Sequence, residues 1–245
     1  MSAMNDDFFT ARAGETGAPI PAGPALCQAS ASMRRIHRVF LWAYDEAPGL
    51  VRSVSRGDLE RSAFVGEVLG NFDKLLHVHH EGEDLLMYPK LAARAPACAL
   101  HVDEMLRQHA AVAERLDAIA PVRNEWARTA DPALGEDLAA KYASLSELLQ
   151  VHLRREVTEV TPAVEKVITV DELEEMASHG VDAFDKRFVL AYLGMVLATN
   201  PLEEQREFIK DIPLPIRMLY RLVGKRLYRK QYSTLFPGRE IPITV

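Results

Sequence analysis

The chain predicts an all-α fold, an antiparallel up-and-down four-helix bundle with a C-terminal helical extension. Three observations carry that reading. From Ser30 onward apolar residues recur three and four apart, strict apolar/polar alternation is almost absent, and a His…His-x-x-x-Glu pattern occurs twice at nearly constant spacing. With 245 residues, 48% of them hydrophobic, the chain can bury one good-sized core and still carry an appended unit.

Residues 1–28 open acidic and turn Gly/Pro/Ala-rich, without the basic start and uninterrupted apolar core of a signal peptide, and read as a flexible leader. The bundle is expected over residues 29–168. Its first helix spans Ala29 to Ser53 with a bend before Pro48, because a proline disfavours helix in the residue preceding it. Asp58 is the expected N-cap of the second, which runs to Ala95 with a kink at Pro89. The third covers Ala97 to Arg128, interrupted at Pro121, and the fourth opens on Asp131-Pro132, with proline at the first helical position, and reaches Val167. Residues 169–245 form the extension: VDELEEM a short capped helix, FVLAYLGMVLA a very apolar one, PLEEQREFIKDI a third. The last helix, Leu214 to Tyr232, carries Arg217, Arg221, Lys225, Arg226, Arg229 and Lys230. Such a helix suits a membrane surface or nucleic acid; the favoured reading packs Ile216, Leu219, Val223 and Leu227 on the bundle and sets the cations near the helix C-terminal end. FVLAYLGMVLA falls short of the roughly 18 apolar residues a membrane span needs, which leaves core or an oligomer interface built through the C-terminal helices.

A net charge of −6 gives no general attraction to nucleic acid or anionic membranes, so neither nucleic-acid binding nor membrane insertion is expected. Cys27 and Cys98 lie far apart and outside CxxC spacing, which excludes a disulfide framework and a thiolate zinc site and suits a reducing cytoplasm. No Gly-rich phosphate loop and no G-x-S-x-G occurs, HHEGED ends in Asp84 where a zinc protease needs a second histidine, and the Glu-x-x-His pair of ferritin-like proteins is missing from the helices.

The chemistry concentrates in HHEGEDLLMYP, residues 79–89, and HLRREVTEVTP, residues 152–162. His152, Glu156 and Pro162 each lie 73 residues after His79, Glu83 and Pro89, and His109 lies 72 after His37, so two helix pairs are related by an approximate twofold repeat. Helical spacing sets Phe72, Leu76, His79, Glu83 and Leu86 on one stripe; Val102, Leu106, His109, Ala113 and Leu116 on the next; and Leu145, Leu149, His152, Glu156 and Val160 on the last. In the first helix Met33, His37, Leu41 and Tyr44 align likewise. Any one core histidine is usually a hydrogen-bonded packing residue. Six donors converging on one core are another matter, because two carboxylates buried unpaired would cost several kcal/mol each, and multiply charged cations offset that cost. The stripes carry no lysine or arginine near these residues. Two metal ions bridged by Glu83 and Glu156, with His37, His79, His109 and His152 as terminal ligands, satisfy the pattern.

The order of a helix-one histidine, H-x-x-x-E…P, a helix-three histidine and a second H-x-x-x-E…P resembles the hemerythrin-like HHE family over residues 30–167, with a further likeness to HHE proteins of high-GC bacteria. The resemblance implies a non-haem di-iron centre that binds or reacts with dioxygen. One departure stands out: where oxygen-carrying hemerythrins place a second histidine one turn along helix three, this chain has Ala113. His80, about 100° around the helix from His79, is either a further ligand or a polar residue outside the ligand shell. Asp84 reads as an acceptor that orients an imidazole, Gly82 as room for a ligand or a close neighbour, and His77, His101 and His179 as surface residues. Two classes of function follow. The first is a di-iron protein that binds O2, NO or peroxide in sensing, redox or iron handling; the second is a di-iron oxygenase, oxidase or peroxide-consuming enzyme acting on a small molecule. A helical interaction module with a structural metal is the third, plainer possibility.

Overall fold

The computed structural model describes residues 6–180 and 184–245; the first five residues of the expected leader, and residues 181–183, lie outside it. Helix is the regular structure throughout, and no strand occurs among the described residues. The chain divides into two compact units, one of residues 6–180 and one that begins at residue 181.

The first unit is the bundle. Helix α1 spans Ala29–Arg52, α2 Leu59–Gly82, α3 Tyr88–Arg94, α4 Ala99–Thr129 and α5 Pro132–Arg155. Neighbours around the bundle are α1 with α2, α2 with α4, α4 with α5, and α5 with α1, the ring expected when short links join successive antiparallel helices. The N-termini are built locally. The Asp58 side chain accepts from the Arg61 amide, and Asp131 accepts from the amides of Ala133 and Leu134 ahead of a Pro132 that has no donor to lose. Ala130, at φ 45°, turns the chain out of α4 in the left-handed region. Pro48 and Pro121 sit inside continuous helices, where the sequence suggested a bend and an interruption. Helices α2 and α4 approach closely at Gly66, where an added Cβ would lie 2.7 Å from the Ala127 Cβ.

Both His-x-x-x-Glu motifs end in a wider turn. Residues Glu83–Met87 and Glu156–Val160 form π-helical turns, in which the Tyr88 amide donates to the Glu83 carbonyl and the Thr161 amide to the Glu156 carbonyl. Proline one residue further on explains the geometry: Pro89 and Pro162 have no N–H, and their rings would clash with the carbonyl four residues back in a regular α-helix, so one extra residue is accommodated in the turn. In place of a sharp kink at Pro89, the widened turn brings consecutive residues inward, Met87 with Tyr88 and Val160 with Thr161. Helix α6, Thr161–Val164, completes the fourth bundle helix.

Residues 6–28, read from sequence as a flexible leader, lie against the bundle. Phe9, Ala18 and Cys27 are buried, the Ala18 amide donates to the Glu159 carbonyl at 2.7 Å, and the Leu26 amide donates to the Glu165 carbonyl at 2.6 Å. Arg154 clasps the segment through both carboxylate oxygens of Glu15 and the carbonyl of Thr10. The unit also extends past the expected boundary at 168. Helix α7, Val170–Ser178, starts with a capping box between Thr169 and Glu172, and Arg94 and Lys90 bind Glu172 from α3.

Midway along the bundle, Asp73 accepts from the hydroxyls of Tyr44 and Tyr142 and pairs with Arg123. Burial raises its carboxyl to about 6 against the pull of Arg123 and the two tyrosines.

The second unit contains α8, Lys186–Thr199; α9, Leu202–Asp211; α10, Leu214–Leu219; and α11, Lys225–Leu235, with a π-helical turn at Tyr220–Gly224 between the last two. Leu197, Ile209 and Tyr220 centre its core, and α11 presses on α8 so closely that a Cβ on Gly194 would meet the Tyr228 Cβ at 2.4 Å. The expected inner face of the last helix is overturned. Ile216, Leu219 and Val223 are exposed, because the side turned to α8 is taken by Tyr220, Gly224, Tyr228 and Tyr232.

Arg123→Met, which strands the Asp73 carboxyl, is expected to cost about 3 kcal/mol in urea denaturation, and adding Asp73→Asn should restore most of it. The Arg154 guanidinium, with the Arg12 amide, lowers the Glu15 carboxyl from 4.5 to about 2. A depressed carboxylate stabilises the docked segment above its unfolded value, so protection of the Ala18 amide against hydrogen exchange should be full above pH 4.5 and fade as pH falls towards 2. Glu15→Gln should remove that pH dependence.

Candidate metal centre

Helices α1, α2, α4 and α5, with the π-helical turns that open on Glu83 and Glu156, bring His37, His79, His80, Glu83, His109, His152 and Glu156 into one enclosed region. His37, Glu83, His152 and Glu156 are fully buried, His80 and His109 nearly so. Two groups of donors form. In one, ligating atoms of His37, His79 and Glu83 lie within 4.8 Å of one another; in the other, those of His80, His109 and His152 do.

Glu83 stands between the groups, with Oε1 3.2 Å from His79 Nε2 and Oε2 3.6 Å from His109 Nε2. Glu156 Oε2 lies 3.3 Å from His37 Nε2, and the Nε2 atoms of His37 and His79 are 3.3 Å apart. The His80 and His109 rings stack with centroids 4.0 Å apart.

Three of the imidazoles are oriented from behind. His37 Nδ1 lies 3.1 Å from the Leu153 carbonyl, His109 Nδ1 2.6 Å from Asp84 Oδ1, and His152 Nδ1 3.0 Å from Gln108 Oε1. An Nδ1–H that donates to an oxygen leaves Nε2 as a lone pair, and in these rings Nε2 points inward. Tyr88 donates its hydroxyl to Glu156 Oε1 at 2.5 Å.

Burial, followed by neighbouring imidazoles, holds the pKa values of His79, His80 and His152 well below the usual histidine range. Burial lowers His37 too, although Glu156 pulls the other way. Burial, then Glu156 and Asp84, raises the Glu83 carboxyl well above the ordinary range, and burial with Glu156 and Glu83 raises the Tyr88 hydroxyl. Burial therefore favours neutral imidazoles at His37, His79, His80 and His152 and penalises the ionised form of Glu83.

The fit to a metal rests on atoms without partners. His80 Nε2, His109 Nε2, His152 Nε2, both Glu83 oxygens and Glu156 Oε2 are buried with no hydrogen bond. Buried polar atoms are normally satisfied, and six orphans in one region, all nitrogen or oxygen lone pairs, match what a divalent cation of borderline hardness takes.

Most sequence-predicted residues converge here; two details of register differ. On α4 the inner line is Val102, Met105, His109, Val112 and Leu116, the seam spacing of a bundle, so Leu106 is exposed and Ala113 only half-buried. On α2 the inner face takes in both His79 and His80. Asp73, one of the polar residues on the His80 side of the helix, is itself inside, held by Arg123 and two tyrosines. Gln108 and Tyr88 escaped the sequence reading; their one signal was adjacency, to His109 and to Pro89. Gly82 faces α7, where a Cβ would meet the Met176 carbonyl at 3.4 Å, rather than the donor groups. His77 is exposed, His101 sits 4.0 Å from Glu159, and His179 binds Glu81.

Such an enclosed cluster in an antiparallel four-helix bundle defines a cation-binding helical protein. A family model described as the hemerythrin HHE cation-binding domain matches residues 28–164, more than half of the chain, and the chain belongs to that family. Comparison with curated proteins and with solved structures gives no match.

Asp84→Asn and Gln108→Leu should each weaken metal binding by about 10- to 100-fold, since outer partners fix the ligand's tautomer and angle. Equilibrium dialysis checks the affinity, and an unchanged helical circular dichroism spectrum shows that the fold survives.

Proposed function

We propose that the bundle holds two non-haem iron ions and binds or reacts with O2, or with NO or peroxide, in sensing, redox or iron handling. His37 and His79 would hold one ion, His80, His109 and His152 the other, with Glu83 and Glu156 as the carboxylates available to both. The observation that carries this reading is the set of buried atoms without a hydrogen-bond partner, namely both Glu83 oxygens, Glu156 Oε2 and the Nε2 atoms of His80, His109 and His152. Nitrogen and oxygen donors of this kind suit iron, which supplies a ferrous/ferric couple and open positions for a small molecule.

His80 deepens the reading. The family's second helix-three histidine is replaced by Ala113, and helix α2 offers an imidazole in its stead, stacked on His109. The remaining residues hold the site in shape. Leu153, Asp84 and Gln108 fix imidazole tautomers, and the surrounding apolar residues keep bulk water away.

A second reading, a di-iron oxidase, oxygenase or peroxide-consuming enzyme, is favoured by Tyr88. Its buried hydroxyl is a proton donor poised on Glu156, with its ring 5.7 Å from that of His109.

Loading ferrous iron anaerobically, admitting O2 and following the absorption spectrum separates the readings. Reversal on removing O2 supports carriage or sensing, irreversible oxidation that accelerates with a reductant or substrate supports catalysis, and no response contradicts both. His80→Ala is expected to lower bound iron from two per chain towards one, with the loss read by metal analysis rather than by activity.

A further inference from the structure

The second unit carries a feature that the metal centre does not use. Residues 212–239 contain seven lysines and arginines and no acidic residue, while the rest of the chain has 22 basic against 35 acidic residues. Six of the seven lie on α10, the following π-helical turn and α11, and Arg239 follows. One side of that helix is committed to its own unit, with Tyr220, Gly224, Tyr228 and Tyr232 packed inward. The other side faces solvent and is divided along its length.

One exposed strip is apolar. Leu214, Met218 and Leu222 follow one another at intervals of four, with Leu219 and Val223 alongside, and Leu222 is 76% exposed. A second strip is cationic: Arg221, Lys225, Arg226, Arg229 and Lys230 line a shallow groove with Ser233, and Leu222 and Ile241 border it. Apolar side chains exposed beside a cationic groove are an unstable arrangement in water. They suit a surface that presents negative charge and hydrocarbon within a few ångströms of each other.

We propose that this helix docks the protein on an anionic lipid surface, lying in the interface plane with Leu214, Met218 and Leu222 entering the acyl boundary and the groove cations meeting headgroup phosphates. The attachment is peripheral, since no helix among the described residues is long and apolar enough to cross a membrane. Nucleic acid would engage the cations and leave the exposed leucines in water. A second copy of the same face would oppose like charges. Charge and apolarity together select the lipid surface.

The test uses the full chain and co-sedimentation with vesicles of phosphatidylcholine alone or mixed equally with phosphatidylglycerol. Binding is expected on the mixed vesicles and not on the neutral ones, and it should be lost as salt rises to about 0.5 M. Met218→Asp with Leu222→Asp should reduce the bound fraction about tenfold, and Arg221→Glu with Arg229→Glu should do the same. All four positions are exposed, and an unchanged melting curve confirms that the variants fold. Failure to bind mixed vesicles overturns the proposal, as does binding indifferent to the Met218/Leu222 pair. Duplex DNA binding that survives those two aspartates in place of vesicle binding also overturns it, as does a concentration-dependent dimer that they dissolve.

Discussion

Two carboxylates buried at the centre of a helical bundle are the constraint from which the rest of this structure follows. Moving an ionised carboxylate out of water is costly, and the cost grows when two share one region. Here the groups facing Glu83 and Glu156 are mostly imidazoles that burial keeps neutral, and a neutral imidazole offers a lone pair rather than a counter-charge. The cluster is therefore incomplete as a set of protein groups and complete as a set of ligands. Its packing makes sense once cations neutralise the glutamates and occupy the inward nitrogens.

The fold serves this centre twice over, once from each half of the repeat. Each His-x-x-x-Glu motif is followed by a π-helical turn and a proline, at the same offset of 73 residues as the motifs themselves. The symmetry is not complete. Tyr88 reaches across to Glu156, whereas its counterpart Thr161 turns back to Ser30 and the Val157 carbonyl. The two halves thus give a near-symmetric scaffold and an unsymmetric polar environment around the two donor groups. The segment of residues 6–28 adds a cover: Phe9 lies 6.4 Å, ring to ring, from His37.

Much of this was legible in the amino-acid order. Helical periodicity gave the bundle, Asp58 and Asp131 marked helix starts, and the 73-residue repeat drew four histidines and two glutamates to one core. What escaped notice did so for identifiable reasons. Sequence leaves His80 open between ligand and polar neighbour because Asp73, seven residues earlier, gains its buried partners Tyr44, Arg123 and Tyr142 only from remote parts of the chain. Pro89 and Pro162 announced a disturbance, but the widened turn, and with it the inward swing of Tyr88, depends on how the helix accommodates a missing amide. The leader reads as unstructured because it is rich in Gly, Pro and Ala, while its attachment runs through backbone amides, a few buried side chains and donors remote in sequence, Arg154, Lys166 and Cys98. The last helix misled for the opposite reason: its leucines and isoleucine imply a buried face, yet the side turned to α8 belongs to tyrosines and glycine.

The central claim is that buried glutamate charge is neutralised by two cations held among the imidazoles. An anaerobic ferrous titration followed by calorimetry measures it most directly. Saturation is expected at two equivalents per chain, with a melting temperature that rises with loading. Protein that binds no stoichiometric metal, and melts at the same temperature with or without it, would contradict the account.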